Sequence, residues 1–209
     1  MRTFTRSKNG DSKIDMKTNT PFSISVHSCT WEDHDAQSDA LIKKILERES
    51  REQGAVRSNL GGFQTQPDLG NDSLFKPLLT FIAQSSDTVL QSMNIKYTNI
   101  LVDAAWANVN RGQGSHNQVH IHDGILSGVY YLQADRGAGR LNLINPGMNT
   151  LWQGHQKSSQ FNENTAEAAH VIPRAGELYL WPSYVPHSVD VNSDPDCTRI
   201  SISFNINVN

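Results

Sequence analysis

From about residue 97 to the carboxyl terminus the chain is a succession of short β-type runs broken by Gly, Asn, Asp and Pro: "TNILVDAAWANV", "NQVHIH", "LSGVYYLQ", "GRLNLIN", "AHVIP", "ELYLWP", "HSVDV" and "TRISISFNINV". Repeated short strands with turn residues between them leave an all-β sandwich or barrel as the natural solution. The first half carries helical periodicity instead. "SDALIKKILERESRE" spaces Leu41, Ile42, Ile45 and Leu46 along one face, with Ser38 as the expected N-cap. "FKPLLTFIAQSSDTVLQSMN" presents Leu78, Leu79, Ile82 and Val89 as a stripe, with Pro77 in the first turn. "SNLGGFQTQPDLGND", between them, reads as loop. The expectation is a mainly β chain with a helical layer over 35–96 packed on a β-barrel or jelly roll formed by 97–209. Residues 21–209 suit one domain, and 1–20 read as a polar, flexible lead.

Composition removes several function classes. Eighteen Lys+Arg against 21 Asp+Glu, a net charge of −3, give neither a basic footprint for nucleic acid nor a polybasic membrane patch. Two cysteines, Cys29 and Cys197, make no disulfide framework and no thiolate metal site, and fit a reducing cytoplasm. No apolar run approaches the roughly 18 residues that span a bilayer, and the amino-terminal stretch lacks the apolar core of a secretion signal. A cytoplasmic location is the expectation. The connection from Pro146 to about Ala166 has no period and is long, as lids and binding loops are.

Three stretches carry chemistry. In "QVHIHD", a regular strand would put Gln118, His120 and His122 on one face and Val119 and Ile121 on the other. Two imidazoles at i and i+2 can converge on one metal ion, although a hydrogen-bonded pair of histidines is an equal reading of that spacing alone. In "TRISISFNI", Arg199, Ser201, Ser203 and Asn205 alternate with Ile200, Ile202, Phe204 and Ile206. If the polar row points inward, Arg199 is a charge that cannot be removed and must meet an anion. A carboxylate is its natural partner, with Ser201 placed to donate as well. If the row points outward, it simply faces water. In "WPSYVPHSVDV", Pro182 and Pro186 bracket a rigid approach to His187, which opens another short β-run.

In this order the stretches "AWANVNRGQGSHNQVHIHDGILSGVYYLQ", "GRLNLINP" and "GELYLWPSYVPHSVDVNSDPDCTRISISFNI" resemble the Fe(II)/2-oxoglutarate-dependent oxygenases, in particular their bacterial and phage branch. The resemblance covers roughly residues 104–206 and implies a double-stranded β-helix with iron at one open end. It further implies Fe(II) as cofactor, 2-oxoglutarate as cosubstrate, and oxidation, usually hydroxylation, of a second substrate. His120, His122 and His187 would then be the metal ligands. Arg199 and Ser201 would hold the far carboxylate, with Tyr130 or Tyr131 also in reach, though adjacent residues on one strand cannot both face the site.

One departure stands out. The common pattern is His-x-Asp/Glu with a distal His, whereas the residue two after His120 is His122 and the carboxylate, Asp123, falls one place later. Strand geometry favours three histidines; a bulge near Gly124 would instead bring in Asp123, and an open position beside His122 and Gly124 would resemble halogenases. Two other classes compete with the oxygenase: a cupin-like dioxygenase indifferent to 2-oxoglutarate, and a metal-binding jelly roll without catalysis. His116, Asn108, Asn142 and Trp152 are candidates for a substrate pocket, while Trp106 and Trp181 read as barrel packing. The second substrate, a small molecule or a peptide, is not legible, and neither is the oligomeric state.

Overall fold

The computed structural model describes residues 23–112, 114–147 and 166–209. The polar lead over 1–20 lies outside these residues, as do Trp152 and most of the Pro146–Ala166 connection. In chain order the elements are β1 (His27–Thr30), α1 (His34–Arg51), β2 (Asn59–Leu60), β3 (Phe63–Gln64), α2 (Lys76–Ser92), β4 (Ile100–Arg111), β5 (His116–His120), β6 (Leu126–Ala134), β7 (Leu141–Ile144), β8 (Ala168–Val171), β9 (Glu177–Pro182), β10 (His187–Val189) and β11 (Thr198–Val208). They form a six-stranded sheet, β1-β9-β6-β11-β4-β3, facing a five-stranded one, β2-β5-β10-β7-β8. Every strand pairing is antiparallel. The fold is a double-stranded β-helix with two helices on its outside.

Alternation within strands decides which residues meet which layer. On β11, Ile200, Ile202, Phe204 and Ile206 join Ala105, Ala107 and Val109 of β4 in one core, packed against Leu41 and Ile45 of α1 and Leu78, Ile82, Val89 and Leu90 of α2. The intervening residues of β4, β6 and β11 turn between the two sheets, where Val129, Tyr131, Leu141, Leu143, Trp181 and Val185 form a second, smaller core. Gly128 of β6 is set by the first core: a Cβ there would collide with the ring of Phe204 and lie 2.7 Å from the Tyr179 carbonyl oxygen.

Two local expectations are corrected. α1 begins at His34, behind Asp33, so Ser38 is not an N-cap but a buried residue inside the helix. The start signal is instead the acidic pair Asp33 and Asp35, which complements the partial positive charge of a helix amino terminus. The Gly-rich run that reads as loop contains β2 and β3, which belong to different sheets. Gly61 and Gly62 form the corner between them; Gly61 has φ of 67°, and a Cβ on Gly62 would lie 2.9 Å from the Val109 carbonyl oxygen. The amino-terminal segment therefore contributes β1, β2 and β3 to the sheets as well as the helices.

Candidate metal centre and cosubstrate pocket

His120 ends β5, His122 lies two residues beyond it, and His187 opens β10 opposite His120. One ligand nitrogen from each of the three lies within 4.8 Å of the others. Their ring centroids are separated by 4.3 Å (His120–His187), 4.8 Å (His120–His122) and 5.1 Å (His122–His187). Nδ1 of His120 is 2.6 Å from the Gln118 carbonyl oxygen, and Nδ1 of His187 is 3.0 Å from that of Val185. A carbonyl oxygen only accepts, so each Nδ1 carries the proton and each Nε2 keeps its lone pair for a metal. Nε2 of His120 also lies 3.4 Å from the Ser58 hydroxyl, a long contact that a metal would displace.

Burial keeps all three imidazoles neutral. It lowers His187 to about 3, aided by His120 and His122, against the Nδ1 hydrogen bond to Val185. It lowers His122 to about 4, aided by His120 and opposed by Asp123. His120 moves the same way for the same reason, opposed by its bond to Gln118. Three converging neutral nitrogens are a donor set that suits iron and neighbouring divalent metals.

The strand carrying His120 is not regular. His187 pairs with His120 while Val189 pairs with Asn117, so two residues of β5 oppose the single Ser188 of β10. This bulge shifts the inward positions to Asn117 and His120; Gln118, expected on the ligand face, is exposed. His116 is likewise turned away, with Nδ1 on the Gly114 carbonyl. Asp123 is exposed and stands outside the cluster.

A cavity of about 510 Å³ opens from the triad into the space between the sheets. At its inner end is Arg199, 2 % exposed. Nη2 donates to Asn110 Oδ1 at 2.8 Å and Nη1 to the Gly139 carbonyl at 3.2 Å. No carboxylate pairs with it among the described residues. The two acidic groups that influence it are weak acids kept protonated: burial pushes the Tyr131 phenol up to about 12 and raises the Cys197 thiol. Burial also lowers Arg199 itself, yet a guanidinium keeps its proton at any physiological pH. Ser201 and Tyr131, paired across β11 and β6, line the cavity beside it.

Three buried polar atoms in the described residues lack a hydrogen-bond partner: Arg199 Nε, Trp181 Nε1 and Asn108 Oδ1. All three residues line this cavity. Such orphans are rare in folded proteins and mark places that a ligand or ordered water completes. Two are donors at the deep and metal-side walls, as an all-acceptor dianion such as 2-oxoglutarate requires.

Other sequence candidates separate cleanly. Tyr130 faces the helices, where its hydroxyl meets His34 Nδ1 at 2.6 Å and Trp31 packs edge-on to its ring. Asn142 points outside the cavity, donating to Asp190 Oδ1 at 2.6 Å with its own Oδ1 on His170 Nδ1. Asn108 lines the cavity, as do Trp106 and Trp181, which sequence reading assigned to packing alone. Their rings stand 5.4 Å from His122 and 5.1 Å from His187. Gln64, Asn117 and Asn110 were missed; all three are amides near chain corners or pairing partners of inward residues, and only the pairing register reveals them.

Residues 104–205 match a family described as "Putative 2OG-Fe(II) oxygenase". No curated protein matches the chain. Among solved structures it is similar to a prolyl-4-hydroxylase of Pseudomonas putida, at 16% identity and a TM-score of 0.59 over 88% of this chain and 93% of that one. It is also similar to a viral collagen prolyl hydroxylase of Paramecium Bursaria Chlorella virus-1 in its 2OG complex, at 13% identity and a TM-score of 0.55 over 88% and 96%. A third is SnoN, an α-ketoglutarate-dependent epimerase of nogalamycin biosynthesis, at 9% identity and a TM-score of 0.58 over 81% and 74%. At these identities the structures share the fold.

Proposed function

This chain belongs to the 2OG-Fe(II) oxygenases through residues 104–205, and from that premise we propose that it hydroxylates a second substrate at iron held by His120, His122 and His187. When bound there, Fe(II) and 2-oxoglutarate would supply dioxygen activation, with decarboxylation of the keto acid to succinate and CO2 coupled to oxidation of the second substrate. The protein's own groups do the rest. The Gln118 and Val185 carbonyls fix the His120 and His187 rings so that Nε2 of each is presented without a reorganisation cost. Arg199 receives the far carboxylate of 2-oxoglutarate, with the Ser201 hydroxyl and the neutral Tyr131 phenol as further donors. Asn110 and the Gly139 carbonyl hold the guanidinium from behind, leaving Nε for the ligand. Val129, Leu141 and Trp181 keep the inner wall apolar, which strengthens each of these contacts.

The observation that carries this reading is Arg199: a buried guanidinium with an orphaned Nε and no anion among the described residues. It favours 2-oxoglutarate over a cupin-like reaction that needs no such anion. The test is anaerobic addition of Fe(II) and then 2-oxoglutarate. A visible charge-transfer band is expected in the native chain, with its 2-oxoglutarate requirement raised about 100-fold or more in Arg199→Ala, in line with losing a buried charge-assisted contact. Iron binding without a band, together with dioxygen uptake indifferent to 2-oxoglutarate, would sink the proposal in favour of the cupin-like alternative.

A further inference from the structure

The cavity has more room, and a different chemistry, than 2-oxoglutarate uses. Arg199, Asn108 and Gln64 are buried in its lining, whereas Arg57 and Gln66 line it as exposed residues at its rim. Asn108 is 6 % exposed, and its Nδ2 donates to Ser203 at 3.1 Å while its Oδ1 has no partner. The 2-oxoglutarate dianion contains only acceptors, so it leaves this acceptor unmet. Asn108 Oδ1 is left for a donor from a second ligand or an ordered water.

The cavity's charge points to the class of that ligand. Among the described residues no Asp, Glu or Lys lines the cavity, and the charged lining residues are Arg57 and Arg199. Arg57 has no carboxylate partner among the described residues. With a carboxylate in the metal triad, Fe(II), Arg199 and the 2-oxoglutarate dianion would sum to zero. With three neutral imidazoles the same sum is one positive charge, and Arg57 adds a second at the entrance. Like charge in a low-dielectric cleft is costly, whereas an anion is both drawn in and held.

Resting on the oxygenase reading above, we propose that the second substrate is a small organic anion, its acidic group on Arg57 and its body lying along Trp106 and Asn108. A cationic side chain or amine finds no counter-charge among the described lining residues, and a neutral molecule leaves Arg57 unused.

The experiment compares three probes of one shape, phenylacetate, phenylacetamide and 2-phenylethylammonium. Each is titrated calorimetrically into the full chain held anaerobically with Fe(II) and saturating 2-oxoglutarate, so that Arg199 is already occupied. Phenylacetate is expected to bind about five- to tenfold tighter than the amide, with the ammonium weakest. Arg57→Gln is expected to erase the acid-over-amide difference. Equal binding of acid and amide, preference for the ammonium, or an acid preference untouched by Arg57→Gln would overturn the proposal. The charge-transfer band of the native chain, recorded first in the same sample, separates the two readings. Its absence counts against the oxygenase assignment, while a band without acid preference counts against the anionic substrate alone.

Discussion

At the scale of single residues, the question is which side chains hold the metal in "HIHD". The carboxylate that the common oxygenase pattern leads one to expect is exposed and outside the cluster, while the histidine in its place is inside. Asp123→Ala is therefore expected to leave Fe(II) affinity within about threefold of the native value. His122→Ala should cost more than the roughly 10–100-fold typical of an outer-shell partner. Calorimetric metal titration under anaerobic conditions checks both, and a larger loss in Asp123→Ala than in His122→Ala would reverse the assignment. The HxH spacing is legible in the sequence, but regular strand geometry does not account for it fully. Strand alternation alone would have carried Gln118 into the cavity with His120. The bulge opposite Ser188 carries Asn117 there instead, and no composition or spacing in "NQVHIH" announces a bulge.

At the scale of elements, β11 is legible in full, whereas β5 is legible as a strand but not in its register. "TRISISFNI" alternates without a break, and both of its faces are used as written: the apolar row packs under the helices and the polar row enters the cavity. Gly128 of β6 shows how tightly that apolar row is fitted. Gly128→Ala is expected to destabilise the chain by about 1–3 kcal/mol through overpacking against Phe204 and Tyr179. Urea denaturation of the metal-free protein measures this, and a change under about 0.5 kcal/mol would show that the ring can move aside. β1, β2 and β3 escaped sequence reading because they are four, two and two residues long. Strands that short have too few residues to establish a period, and they are fixed by the longer strands they pair with.

At the scale of the whole molecule, the three imidazoles tie folding to pH. Each has its folded value lowered below the ordinary histidine value of about 6.5 by burial, so between the two values the unfolded chain binds more protons than the folded one. Stability is then fully present above about pH 6.5 and is lost as the pH falls toward about 4 for His122 and about 3 for His187. The melting temperature of the metal-free chain should fall steadily over that window, and His187→Phe should flatten the fall. An identical slope in the variant would remove His187 from the account.

Arg199 has a consequence of another kind. Its charge is buried between the sheets, hydrogen-bonded to Asn110 and Gly139, with no anion beside it among the described residues, so that part of the interior is unfinished. If 2-oxoglutarate sits there as proposed, the molecule consumed in each turnover is also the one that completes the core. Catalysis would then cycle the protein between a more and a less consolidated state. The chain would be most vulnerable to unfolding and proteolysis in the interval after succinate leaves and before the next keto acid arrives, so its lifetime would follow the supply of its own cosubstrate.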